Sequence, residues 1–364
     1  MSEFINNSEQ RREKLLELAL GMLNGQTNPE FVGQYEEVIE KATPRDIVYI
    51  VDGMVATGKP MEELKKAVSR VINLMYLPLQ QTDTLAFEHI PFIREMMQEN
   101  REMEKRMKKI KYYVKSINIK DINEDQFTQL KRELKDRIRK FEIFERHYTR
   151  KENILFPHLE KLWQDYRCLH VMWSLHDDAR RSMKALIRTL EMEKMPMEKF
   201  NMHIGQLFFS IFPLIYREDN ILFPVAAAEL PADAWNQMHC QSSEIGYAWI
   251  GAGSMPEESR QSERIAAREP AEPNMIDLDT GLLQAKQIIG IFNHLPVDIT
   301  FVDENDEVCY FNSPKDRFFP RSKSIIGRKV QNCHPPESIG TVNRIVDAFR
   351  KGEKDSASFW IRMK

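Results

Sequence analysis

A six-residue phrase occurs twice in this 364-residue chain, as E-N-I-L-F-P from Glu152 to Pro157 and as D-N-I-L-F-P from Asp219 to Pro224. Each copy closes a charged segment of helical periodicity, and the recurrence points to two related helices in one bundle. Four long helical segments are expected in all, over 84–115, 125–162, 171–193 and 197–222. Pro157, Pro196 and Pro224 stand near their ends. Long helices with short joins imply an antiparallel four-helix bundle, a fold whose core commonly holds metal sites built from facing helices.

The flanks read differently. Before the bundle, the first 80 residues form short amphipathic helices: Thr43-Pro44 starts one, with Asp46 in its first turn, and Gly58-Lys59-Pro60 precedes another. Ile47, Ile50, Val51 and Met54 recur at three and four, as one buried helix face requires. After the bundle, residues 251–273 are rich in Gly, Ser, Pro and Glu and read as a flexible linker. V-D-I-T-F-V-D and V-C-Y-F-N around the polar E-N-D-E then suggest a hairpin. A helix over 338–350 and a third strand near Ala357 complete an α+β pattern. Because three strands would leave an exposed edge, the chain is expected to continue beyond Lys364.

A formal charge of −3 gives no electrostatic footprint for nucleic acid. The densest basic stretch, 101–120, alternates with acids and reads as a solvated helix face. No run of about 18 apolar residues and no signal-peptide pattern occur, so a cytoplasmic protein without membrane attachment is expected. The four cysteines, Cys168, Cys240, Cys309 and Cys333, are scattered and read as reduced thiols.

The bundle segments offer one donor each: His89, His147, His176 and Glu218. Imidazole and carboxylate together suit iron, zinc or copper. Glu152 is a further candidate with a geometric obstacle. Residues four apart diverge by about 40° around a helix and residues five apart by about 140°, so Glu152 faces away from His147. A π-bulge would bring it round; otherwise it faces another helix or solvent. His158 and His170 are expected at the surface, and Met172, Trp173, Phe208, Phe209 and Phe212 in the core.

With its His, acids and terminal L-F-P, this pattern resembles the hemerythrin-like HHE cation-binding family. There the His lies four residues before a Glu and ten before the Pro. Counted back from Pro157, the His position is His147 and the acid position is Lys151; counted back from Pro224, they are Leu214 and Glu218. Each copy therefore keeps a different half of the pair. With His89, His147, His176 and Glu218 retained and Glu152 as the further candidate, the resemblance implies at most a thinned iron site, whether di-iron, mononuclear or none.

V-I-E-K-A-T-P-R-D-I-V-Y-I-V-D-G-M-V-A-T-G-K-P-M-E-E-L-K-K resembles family 438 of the bacterial domains of unknown function. H-L-P-V-D-I-T-F-V-D-E-N-D-E-V-C-Y-F-N, with G-R-K-V-Q-N-C-H-P-P-E-S beyond it, resembles a PAS sensor module lacking its last strands. These likenesses divide the chain into a helical N-terminal domain (1–82), the HHE bundle (83–250), a linker (251–276) and an incomplete PAS domain (277–364). Cys333 and His334 are candidates for a PAS ligand such as haem, or for a redox response; the alternative is a turn set by Pro335-Pro336.

Three functions stay open on sequence alone. One is a cytoplasmic sensor in which an iron-binding bundle meets a diatomic gas or redox signal, while PAS dimerises and passes the signal to a downstream protein. Another is a di-iron enzyme acting on oxygen, nitric oxide or damaged iron-sulfur centres. The last is a metal-free scaffold. No kinase, cyclase or helix-turn-helix signature is present, so any output is expected to pass through a partner or a missing tail, and Leu214 with Lys151 counts against the enzyme.

Overall fold

Thr43 opens a helix as its neighbours dictate: its hydroxyl accepts from the Asp46 amide, Asp46 reaches back to the Thr43 amide, and Pro44 takes the first helical position. The computed structural model describes residues 2–81, 87, 89–119, 122–163, 166–251, 275–278 and 282–358. The chain divides into two compact units, one of residues 1–152 with 162–253 and one of residues 153–161 with 254–364.

In the first unit come α1 (Ser2–Leu23), α2 (Pro29–Gly33), α3 (Glu36–Glu40), α4 (Pro44–Ala56), α5 (Met61–Leu74) and α6 (Tyr76–Gln80). Helix α1 packs on α4 and α5. The expected face of α4 is buried, with Ile47, Ile50, Val51 and Met54 all in the core. Gly58, at φ +71°, supplies the left-handed turn between α4 and α5.

Further helices follow. They are α7 (Pro91–Ile117), α8 (Glu124–Arg139), α9 (Glu145–Arg150), α10 (Phe156–Leu162), α11 (Arg167–Glu191), α12 (Met197–Arg217), α13 (Phe223–Glu229) and α14 (Ala232–Ile245); most of α10 falls in the second unit. Helix α11 packs along α12 and against α8, and α7 packs against α8 and α14. The first long helix starts at Pro91 and not at Thr84, because Pro91 has no N–H to continue an earlier turn; residues 82–86 and 88 lie outside the described residues.

Both repeat copies take the same backbone form. Lys151–Leu155 and Glu218–Leu222 are π-helical turns, each followed by a short α-helix with proline as its second residue. Pro157 and Pro224 have no N–H for the carbonyl four residues back, which in each copy belongs to asparagine. The Asn153 carbonyl instead accepts from the hydroxyls of Ser322 and Ser324, all within the second unit.

That unit contains β1 (Met275–Asp277) paired antiparallel with β2 (Leu282–Gln284), then a helix Ala285–His294. The expected hairpin is present as β3 (Thr300–Val302) and β4 (Val308–Phe311), antiparallel, with Phe301 opposite Tyr310 and an irregularity after Phe301. Asp303 accepts from the amides of Asn305 and Glu307, and Asp306 takes φ +66°, which closes the polar turn. A helix Pro336–Arg350 follows. Arg328 forms a buried two-bond pair with Glu160, Nη2 lying 2.6 Å from Oε1.

The linker expected over 251–276 falls largely outside the described residues, although Met275 and Ile276 belong to β1. Ala357 and Ser358 are not in a strand, and residues 359–364 lie outside the described set. Phe209 departs from the core placement expected of it: it is 82% exposed, on the outer face of α12, while Phe208 and Phe212 stack at 5.6 Å beside Lys111.

Candidate functional site

The buried face of α7 runs through Phe92, Met96, Met103, Met107 and Ile110, and three polar residues interrupt it: Glu95, Glu99 and Asn100. All three are buried, and a buried carboxylate needs a partner. The partners come from the repeat copies and from α11.

His147, completely buried on α9, directs Nδ1 at Glu99 Oε2 (2.8 Å) and Nε2 at Glu218 Oε2 (2.9 Å). Ionised carboxylates only accept, so the ring faces an acceptor at each of its nitrogens. Phe144 stacks on it at 4.4 Å and 11°. Arg150 pairs with Glu99, with Glu95 at 3.8 Å, and its guanidinium lies over the Tyr247 ring at 4.8 Å.

Lys151 is completely buried, and its Nζ meets Glu218 Oε1 with the Tyr148 ring 4.9 Å away. Burial lowers its pKa, and Glu218 opposes that shift. Burial alone would raise the Glu218 pKa, but Lys151, His147 and His176 together bring it well below the usual carboxylate range. Glu99 behaves alike: burial raises it, and His147 with Arg150 lowers it further. Asn100 donates from Nδ2 to Glu218 at 3.0 Å and to Asp219 at 2.9 Å, and Arg101 pairs with Asp219.

The π-turn places Glu152 inside, but against another helix. Its Oε1 is 2.7 Å from His176 Nδ1 on α11 and its Oε2 is 3.0 Å from Arg180 Nη2. His176 is fully buried, stacks on Tyr148 at 4.7 Å, and has Nε2 4.0 Å from Glu218 Oε1. Burial, with Lys151 and Arg180 nearby, holds its pKa well below 6.5. The Tyr148 hydroxyl has no hydrogen-bond partner among the described residues, and burial beside Glu218 pushes its pKa far up.

A loop after α14 closes the cluster. Gly246 (φ +84°) and Trp249 (φ +63°) turn the chain back, the Ala248 amide donates to Glu99, and Trp249 stacks on Phe144 at 5.5 Å. Positive φ at a tryptophan is a strained conformation that the surrounding packing must hold.

His147, His176, Glu152 and Glu218 thus gather in one place. His89 does not: it lies in an exposed turn before Pro91, and α7 contributes Glu95, Glu99 and Asn100 in its stead. Sequence reasoning missed these three, together with Arg150, Arg180 and the closing loop. The available signal was Glu99, standing in the apolar row between Met96 and Met103.

Cys333 and His334 belong to the second unit, where a short turn of helix over Val330–Cys333 leads into the helix Pro336–Arg350. His334 donates from Nδ1 to the Val330 carbonyl at 2.8 Å. Burial raises the Cys333 thiol pKa and lowers that of His334.

Compared with known families, residues 91–226 match the hemerythrin HHE cation binding domain and residues 290–364 match a PAS domain. No curated protein matches the chain. The chain therefore carries an HHE cation-binding domain and a PAS domain. That family implies a cation in the bundle, but the donor set in this arrangement does not fit one. Lys151 neutralises Glu218, Arg150 neutralises Glu99, and Arg180 neutralises Glu152. Among the described residues, no group of three or more His, Cys, Asp or Glu is placed to hold a metal ion.

Proposed function

We propose that this chain is a sensor or regulatory protein whose hemerythrin-like four-helix bundle is closed by its own buried cations, with the PAS domain supplying the signalling role. The observation that carries the reading is Lys151, whose ammonium rests on Glu218 where the family pattern would place a second acid. A lysine there supplies the positive charge that a metal ion would otherwise bring. The N-terminal helices act, on this proposal, as a family 438 domain ahead of the bundle. Cytoplasmic location, a diatomic or redox input, a PAS-mediated dimer and an unidentified downstream protein belong to the same proposal.

A metal-binding reading keeps one supporting observation. His147 Nε2 and His176 Nε2 stand 2.9 and 4.0 Å from the Glu218 carboxylate, so displacement of Lys151 would leave two imidazoles and an acid near one point. Iron would suit that set. A di-iron enzyme has less support, because Leu214 and Lys151 occupy two of the family's donor positions.

Metal content and the visible spectrum of the full chain, purified anaerobically after iron-replete expression, test the proposal. Substoichiometric metal and no oxygen-dependent absorption are expected. Stoichiometric iron, lost in His147→Ala and His176→Ala, would replace it with the metal-binding reading.

A further inference from the structure

Arginine stands one residue before Lys151 in the first repeat copy and one residue before Glu218 in the second. Their surroundings differ. Arg150 meets Glu99 and Glu95. Arg217 is only 6% exposed and donates from Nη2 to the Ser69 hydroxyl at 2.7 Å, yet no carboxylate lies within ion-pair distance among the described residues. Its Nε has no hydrogen-bond partner there either. An arginine guanidinium keeps its charge at neutral pH. A buried cation without an anion is costly, so an anion bound beside Arg217 would offset that cost.

Arg217 lines a cavity of about 960 Å3 among α5, α6, α7 and α12. Small-molecule sites typically span ~300–1,000 Å3, so the space suits an organic ligand. The two acids on its wall, Glu104 and Asp219, are both engaged by Arg101. Tyr76 and Tyr216, also on the wall, stack at 4.7 Å and 19°, with the Tyr216 hydroxyl donating to the Tyr76 carbonyl at 2.9 Å. Rigid aromatic faces next to fixed guanidinium groups recognise a flat anion, by stacking and by charge-assisted hydrogen bonds. Asp219 shares Asn100 with Glu218, so the cavity borders the ion-pair cluster through a single hydrogen-bonding residue.

We propose that this cavity binds a small aromatic oxyanion, a carboxylate or a phosphate ester, with Arg217 as its charge partner and the Tyr76–Tyr216 pair as its aromatic wall. The site is separate from the metal question and stands whether or not the bundle takes a cation.

Calorimetric titration of the full chain with phenyl phosphate, benzoate, inorganic phosphate and phenol tests it. Saturable binding of phenyl phosphate or benzoate, tighter than that of inorganic phosphate or phenol, is expected; which of the two binds better distinguishes phosphate from carboxylate. Arg217→Met should weaken that binding roughly tenfold or more while melting no lower than the parent protein. Tyr76→Ala should remove the preference for the aromatic anion over inorganic phosphate. Failure of the parent to bind either aromatic anion saturably, or equal binding by Arg217→Met, overturns the proposal. If Arg217→Met does not fold, Tyr76→Ala decides: loss of the aromatic preference supports the site, and its retention overturns it.

Discussion

The two copies of N-I-L-F-P share a backbone and differ in charge. Both widen into a π-helical turn and resume an α-helix at phenylalanine and proline. Counting back from each proline pairs His147 with Leu214, Arg150 with Arg217, and Lys151 with Glu218. Lys151 and Glu218 occupy equivalent positions and form an ion pair with one another. Arg150 and Arg217 are equivalent as well, yet the first is enclosed by carboxylates and the second borders a cavity. A duplicated backbone device can therefore supply its own counter-charge at one position and leave a charge for a ligand at the next.

The strongest way to break this comparison is to remove one member of the matched pair. Lys151→Met leaves Glu218 as a buried carboxylate short of a partner, and a loss of about 3–5 kcal/mol in unfolding free energy is expected from denaturant titration. Adding Glu218→Gln should restore part of that loss. A single-variant loss below about 1 kcal/mol, as for an exposed pair, would remove Lys151 from its assigned role.

The arginine positions sharpen the contrast. Arg150→Met should destabilise by about 3 kcal/mol, because Glu99 and Glu95 lose their shared cation. Arg217→Met should be neutral or stabilising. Equal losses at both positions would show that the copies are energetically alike and that the cavity explains nothing.

Acid titration gives a smaller, graded effect. His176 has a folded pKa below 6.5, so the unfolded chain binds a proton that the folded chain refuses. Its contribution is present above pH 6.5 and declines as the pH falls toward the folded value. Glu218 and Glu99 are held below 4.5, so their contribution is present above pH 4.5 and is lost as the pH falls further. Each group contributes a slope of at most about 1.4 kcal/mol per pH unit. Stability measured against pH should fall in two stages, and His176→Phe should shrink the upper stage, to which the depressed pKa values of His158 and His334 also contribute. A flat profile down to pH 4.5 would contradict the buried, neutral imidazole.

Much of this fold was legible because helix signals are local. Thr43, Pro44 and Asp46 cap α4 through contacts three residues apart, and the polar turn between Val302 and Val308 closes on its own Asp303. The site was legible where it touched the repeat: His147, Glu152, His176 and Glu218 do converge. Local signals gave no access to the partners chosen by tertiary packing. Glu95 and Glu99 sit in a helix whose outer face alternates acids and bases, and only their place in the apolar row sets them apart. The Gly246–Trp249 closure depends on positive φ at a tryptophan, which no turn preference favours. His89 lies outside the cluster because Pro91 starts the helix after it.

On this proposal Lys151 pairs with Glu218 in place of a metal ion, and Leu214 withholds the second copy's imidazole. Anaerobic iron(II) titration of the full chain beside its Lys151→Glu/Leu214→His variant tests this most directly. The account predicts no stoichiometric uptake by the parent chain and saturable uptake by the double variant, which regains a His and an acid in each copy. Equally tight iron binding by the parent would contradict it.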